Sequence, residues 1–325
     1  MKRVLFIGGG GYVGTNLTQK LLSNGNYEIT IYDLFLYGDF LPDNKNLKKI
    51  LGDVRDIEKL SKYVQNTDII IHFACISNDP SFDLIPALSK EINYDSFKKL
   101  IGIIKLSNIE RFIFASSSSV YGIKKNIDVD ETCTLDPLTD YSIYKAECEK
   151  ILLDNSDKFI STIIRPATVC GYSPRQRLDV VLNIFSNYAY FKREIRVFGG
   201  KQLRPNININ DLSEAYMRIL DADKKLIDKE IFNIGDNNYS LSELANLVKK
   251  ESNHKINIIF EKSFDNRSYH ISSNKFIQRF NFSFENGLKN AVRDLFYAFE
   301  NKLLLNTFNN PDYFNIQKIK KLNLS

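Results

Sequence analysis

Apolar residues in the first 170 positions fall into short blocks, separated by longer stretches where they recur every three or four residues. Six blocks, Arg3–Ile7, Glu28–Tyr32, Leu47–Leu51, Asp68–Phe73, Arg111–Ala115 and Ile160–Ile164, are rich in Ile, Val and Phe without polar alternation. Strands of that kind are buried on both faces, as parallel strands under helices are. Between them the helical period predicts helices over Val13–Ser23, Ile57–Val64, Leu84–Leu106 and Tyr141–Leu153. Alternating strands and helices with connections of this length predict an α/β fold with a doubly wound parallel sheet. Beyond Gly171 the pattern loosens. A loop "GYSPRQR" leads to a helical stretch "LDVVLNIFSNYAYF", then to extended segments around a Gly-Gly turn in "EIRVFGGKQLRPNININDL". A helix from about Asp211, a strand near Ile231–Ile234 and a helix opening at Ser240, with Glu243 completing a capping box, follow. From Asn306 on, no period is legible.

Composition narrows the class. Of 325 residues, 43% are hydrophobic and 26% charged, and no apolar run approaches the roughly 20 residues that span a bilayer. The start of the chain has no apolar secretory core, so the expected setting is the cytoplasm, with no membrane partner. Net charge is +5, but the lysines are scattered, and nucleic acid is not an expected partner. Four cysteines, Cys75, Cys133, Cys148 and Cys170, form no C-x-x-C, and the three histidines show no ligand spacing. Neither a disulfide framework nor a metal site is expected.

Chemistry enters at "GGGGYVG", Gly8 to Gly14, which joins the first strand to the first helix. It satisfies both G-x-G-x-x-G, from Gly9, and G-x-x-G-x-x-G, from Gly8. Either register lets the backbone approach a pyrophosphate at a helix N-terminus. Asp33 ends the second strand, where a carboxylate accepts hydrogen bonds from an adenosine 2′-hydroxyl and repels a 2′-phosphate; this favours NAD over NADP. A Y-x-x-x-K pair on one helix face could supply an acid/base tyrosine beside a cation. The spacing occurs four times, at Tyr94–Lys98, Tyr121–Lys125, Tyr141–Lys145 and Tyr188–Lys192. Only Tyr141 opens a helix downstream of a serine run, "FASSSSVYG", at the C-terminal end of a parallel strand, where open α/β sheets hold ligands.

These residues, with "GDVRD" (52–56), "HFAC" (72–75), Asn93, "YSIYK", "RPATVCG" and "LRPNININD", resemble the extended short-chain dehydrogenase/reductases of the nucleotide-sugar epimerase/dehydratase group. The resemblance runs from the glycines to about Leu295. It implies a Rossmann-type NAD-binding domain over 1–171, with segments near 204–235 returning to it, and a smaller mixed substrate-binding lobe and tail over 172–325. It further implies that Gly8, Gly11, Tyr12, Val13 and Gly14 bind the pyrophosphate, with Gly8 making the tight turn. Asp33 would hold the adenosine ribose, Asp53 and Val54 would flank the adenine, and Phe73, Ala74 and Ser77, supported by Asn93, would lead to the nicotinamide ribose. Ser117, Tyr141 and Lys145 match the catalytic triad. Arg204 matches the grip on a substrate diphosphate, and Thr168, Arg267 and Tyr269 would complete the sugar-nucleotide pocket. The implied activity is oxidation of a nucleotide sugar at C4, with 4-epimerase preferred. A 4-dehydrogenase of the GDP-heptose type and a non-enzymatic NAD sensor remain as alternatives. Where 4,6-dehydratases carry Asp-Glu, this chain has Ser118 and Ser119, which argues against dehydration. "SPRQRLDVVLN" departs from the epimerase pattern and leaves base and sugar open. A homodimer is expected, with the Leu84–Leu106 and Tyr141–Leu153 helices offering a face.

Overall fold

A computed structural model describes residues 1–124, 128–262, 268 and 270–323. In chain order the first half gives β1 (Lys2–Ile7), α1 (Tyr12–Asn24), β2 (Tyr27–Asp33), β3 (Leu47–Leu51), α2 (Ile57–Val64) and β4 (Ile69–His72). Next come α3 (Asp79–Phe82), α4 (Pro86–Lys90), α5 (Ser96–Ile104), β5 (Arg111–Ala115), α6 (Asp140–Asp154), β6 (Ile160–Pro166) and β7 (Thr168–Cys170). The second half holds α7 (Val181–Lys192), β8 (Glu194–Phe198), β9 (Leu203–Asn208), α8 (Ile209–Asp221), α9 (Lys224–Ile227), β10 (Glu230–Ile234) and β11 (Asn237–Ser240). It closes with α10 (Leu241–Glu251), β12 (Asn257–Glu261), α11 (Asn274–Phe280), α12 (Gly287–Glu300) and α13 (Asn315–Leu322).

Seven strands form one sheet in the order β10-β6-β5-β4-β1-β2-β3, every pair parallel. Alternation along β1 shows why unbroken apolar strands suit it. Val4 and Phe6 pack with Leu17, Leu21, Leu212 and Tyr216 on one face. Leu5 and Ile7 pack with Leu60, Phe97, Leu100 and Leu152 on the other. Helices therefore cover both faces, and the protein is a Rossmann-type α/β fold. The chain turns from β1 to β2 in one direction and reaches β4 in the other, so a crevice opens at the carboxyl ends of β1 and β4. Two smaller sheets, β11-β9-β7 and β12-β8, accompany it, and α7, α10 and α12 share a separate core with β8.

The helix expected over Leu84–Leu106 begins instead at Pro86, whose missing N–H suits a first helical turn. It is interrupted by a π-helical turn, Glu91–Asp95, before α5. The tail, in which no period was legible, folds as α13. Ile319 of α13 enters the sheet's core alongside Leu5 and Ile7.

Candidate functional site

The glycine turn is built by exclusion of side chains. Gly8 has φ +83°, and a Cβ there would stand 2.3 Å from the Ala74 nitrogen. A Cβ on Gly14 would stand 2.4 Å from the Gly9 oxygen, and one on Gly9 would meet the Phe6 Cβ at 2.6 Å. Gly8 thus makes the tight turn, while Gly9 is glycine because the core leaves it no room. Gly11 caps α1 in extended conformation, leaving the first N–H groups of α1 at the crevice. Asp33 reaches back from β2: Oδ2 accepts from the Gly10 N–H at 2.9 Å and Oδ1 from the Phe35 N–H at 2.7 Å. Burial pushes its carboxyl above the ordinary range, against those two bonds and the charge of Arg175.

A cleft of about 590 Å³ runs from this turn across the strand ends. Gly8, Gly11, Tyr12, Val13, Gly14, Asp33, Val54, Phe73, Ala74, Ser77, Ser117, Tyr141, Lys145, Thr168 and Arg204 all line it. Asp53 and Asn93 stand behind the wall. The Asp53 carboxylate is taken by Arg55, with Nη2 at 2.7 Å. Burial pushes Asp53 up, but the hydrogen bonds and charge of Arg55 hold it below the usual carboxylate range. Asn93, in the π-helical turn, grips Ile76 twice, accepting its N–H at 2.8 Å and donating to its carbonyl at 3.0 Å. It supports the loop after β4 from behind. Arg267 and Tyr269 lie outside the described residues. Among the described residues of the four tyrosine–lysine spacings, only Tyr141 and Lys145 enter the cleft. Tyr94 stacks on Tyr144, the Tyr121 hydroxyl donates to Asn233, and Tyr188 packs on Phe308. Lys125 lies outside the described residues.

Tyr141 occupies the first turn of α6, whose capping box joins Thr139 and Ser142. Lys145, one turn on, is buried, with Nζ 5.9 Å from the centre of the Tyr141 ring and 2.6 Å from the Ala115 carbonyl oxygen that it donates to. Ser117 acts on the phenol from beside it, and its Oγ lies 2.8 Å from the Ser119 hydroxyl. Burial, with Cys75 and Asp79 acting in the same sense, pushes the Tyr141 phenol well above its ordinary value, while Ser117 and Arg177 pull it back. Beneath the site, Glu149 of α6 accepts from the Ser116 hydroxyl and from Arg165 Nε at 3.0 Å and Nη2 at 2.5 Å. Arg165 also donates to the Tyr121 hydroxyl at 2.7 Å. This ion pair, buried on both sides, fixes α6 against the ends of β5 and β6.

A second wall of the cleft holds residues that the sequence patterns did not single out. Arg177 pairs with Asp179 at 2.8 Å, and Arg175 sits beside them, its guanidinium 3.7 Å from the centre of the Tyr37 ring. Asn315, the first residue of α13, donates to Ser77 Oγ at 2.9 Å, accepts from Arg175 Nη2 at 2.8 Å, and donates its backbone N–H to Asp179 at 2.8 Å. The "SPRQR" run was the one sequence signal for this wall; nothing marked Asn315. Among the described residues, no cluster of His, Cys, Asp and Glu could hold a metal ion, and no helix is long and apolar enough to cross a membrane.

Residues 4–235 match the sequence profile of the NAD dependent epimerase/dehydratase family. The chain belongs to that family. Its members' dependence on NAD accords with the cleft, where only glycines can make the turn. The chain is thus an NAD-dependent enzyme of the nucleotide-sugar epimerase/dehydratase kind. Among curated relatives, a UDP-glucose 4-epimerase of Lactobacillus helveticus is 26% identical over 268 residues, covering 76% of this chain and 81% of that protein. A human dTDP-D-glucose 4,6-dehydratase is 27% identical over 267 residues, covering 77% and 75%. The fold matches the UDP-glucose 4-epimerase of Thermotoga maritima, solved with UDP-glucose, at a TM-score of 0.84 and 21% identity over 93% of this chain and 100% of that one. It matches a Bacillus cereus UDP-glucuronic acid 4-epimerase, solved with UDP-glucuronic acid and NAD, at 0.83 and 24% over 92% and 99%.

Proposed function

We propose that this epimerase/dehydratase family member is a nucleotide-sugar 4-epimerase. The observation that carries the reading is the convergence of Ser117, Tyr141 and Lys145 on the same cleft as the glycine turn. In this reading NAD, when bound, supplies the acceptor and donor of the C4 hydrogen. Tyr141 takes the proton of the C4 hydroxyl as phenolate. Its burial-raised pKa is brought down by Lys145 and by the positive charge of the oxidised cofactor. Ser117 donates to the C4 oxygen and fixes its position. Return of the hydride to the opposite face of C4, with Tyr141 giving its proton back to the C4 oxygen, would yield the epimer.

The cofactor roles of Gly8, Gly11, Tyr12, Val13, Gly14, Asp33, Val54, Phe73, Ala74 and Ser77, and the substrate roles of Thr168 and Arg204, belong to the same proposal. Asp53 and Asn93 act in it as supports. The division into a nucleotide-binding domain over 1–171, to which segments near 204–235 return, and a substrate lobe over the remainder of 172–325, and a homodimer formed through the helical segments within 84–106 and 141–153, complete it. Three hydroxyls, Ser117, Ser118 and Ser119, line the strand end where dehydration would need an acid and a base, so elimination of water is not part of this reading. The relatives that act on UDP sugars make UDP-glucose and UDP-glucuronic acid the first substrates to try.

Incubation with UDP-, GDP-, CDP- and dTDP-sugars, with product configuration read by NMR and reduced cofactor by absorbance, tests it. Inversion at C4 without accumulating NADH is expected. Release of a ketone with stoichiometric NADH would instead make the enzyme a 4-dehydrogenase, and turnover of no nucleotide sugar would sink the reading. Sedimentation velocity tests the dimer.

A further inference from the structure

Arg175 is 2% exposed, yet among the described residues its guanidinium faces no carboxylate at bonding distance. The two nearby acids are already engaged. Asp33 serves the Gly10 and Phe35 N–H groups, and Asp179 serves Arg177 and the Asn315 N–H. The Arg175 Nε, fully buried, has no hydrogen-bond partner. Its only polar bond among those described runs from Nη2 to the Asn315 side chain. A cation kept out of water without a counter-charge is costly, and such sites persist where an anion completes them. Burial accordingly lowers the Arg175 pKa to about 10.

Its place in the cleft identifies the anion. Two residues upstream, Ser173 donates to the Tyr12 carbonyl at 2.8 Å and lies 3.0 Å from the Thr15 hydroxyl. The loop therefore lies on the first turn of α1, whose N–H groups would face the pyrophosphate in the cofactor reading of this cleft. Tyr37, on the segment following β2, stacks under the guanidinium and keeps its fork planar to that side. We propose that Arg175 binds the pyrophosphate of NAD from the loop that rests on the first turn of α1, with Tyr37 and Asn315 holding its guanidinium in place. The proposal rests on the cofactor reading of this cleft and adds a cation to a site otherwise made of backbone N–H groups. A planar fork suits a pair of phosphate oxygens better than a point charge does.

The test is titration of NAD and of ADP-ribose into cofactor-stripped protein, titration of UDP into the holoenzyme, and melting of each form. For Arg175→Met we expect NAD and ADP-ribose to bind about 10- to 100-fold more weakly, the range for losing a hydrogen bond to a charged group. UDP affinity should stay within about threefold, and the stripped protein should melt no lower than wild type, since the buried charge is gone. Arg175→Lys keeps the charge and loses the fork; it serves if the methionine variant does not fold, with a loss of about 3- to 10-fold expected. NAD affinity unchanged in both variants would overturn the assignment. So would UDP affinity lost with NAD affinity kept, which would give the arginine to the substrate. Wild-type protein that takes up no NAD would overturn the cofactor reading along with it.

Discussion

On the strand-end wall of the cleft, each candidate group is carried by a regular element and partnered close by. Gly11 caps α1, Asp33 ends β2 and bonds its own neighbourhood, and Tyr141 and Lys145 share one face of α6. The second wall is assembled from a loop and a helix 140 residues apart, Arg175 meeting Asn315. Arg175 and Asn315 are buried, and the long-range bonds of this wall all run through Asn315. Under the proposed function, Tyr141 and Lys145 on the first wall would serve the chemistry, and Arg175 and Asn315 on the second would help the glycine turn and Asp33 hold the cofactor. Substitutions at these two pairs should therefore separate turnover from cofactor affinity.

The largest effect is expected from Tyr141→Phe. It should lower kcat by about 10²–10⁴-fold while NAD affinity stays within about twofold, measured by titration and single-turnover kinetics. An equal loss of NAD affinity would blur the two walls. Next comes the ion pair beneath the first wall. Glu149→Leu strands Arg165 and should cost about 3–5 kcal/mol of stability in urea unfolding. The double variant Glu149→Leu/Arg165→Met should recover much of it, because neither charge is left alone.

A smaller effect is expected from pH. His72, 2% exposed and ringed by Phe97, Phe112 and Phe114, is held to a pKa of about 3 by burial, with the Lys145 charge adding to it. Below about pH 6.5 the unfolded chain takes up a proton that the folded one refuses, so stability falls with acid by up to about 1.4 kcal/mol per pH unit until about pH 3. His72→Leu should flatten that part of the profile. Smallest of all, Asn315→Ala should weaken NAD binding by about 3- to 10-fold, the worth of one or two hydrogen bonds, with kcat at saturating NAD unchanged. A drop in kcat instead would place Asn315 on the chemical side of the comparison.

Legibility in the sequence follows the same division. The glycine turn, Asp33 and the Tyr141–Lys145 pair could be read because strand, turn and helix each leave a local signature, and the parallel sheet follows from apolar strands that do not alternate. Choosing among four tyrosine–lysine spacings took only the serine run upstream. α13 was not legible. Its eight residues carry a single fully committed apolar anchor, Ile319, and its place is set by docking on distant segments. The π-helical turn that aims Asn93 at Ile76 has no sequence mark either, because an extra residue in a helix is decided by what its side chain must reach. Arg175 lies in a loop whose sequence carries no sign of burial; only the docking of distant segments takes its guanidinium out of water.

The contact between Ser77 and Asn315 also sets a schedule for the protein's birth. The glycine turn leaves the ribosome about 300 residues before Asn315, a delay of roughly 15–60 s at about 5–20 residues per second. During that interval the sheet can form, but Arg175 has no Asn315 to lean on. A nascent or truncated chain can thus acquire the sheet before the contact that steadies Arg175, and under the proposed assignment it would hold NAD several-fold more weakly until α13 is made.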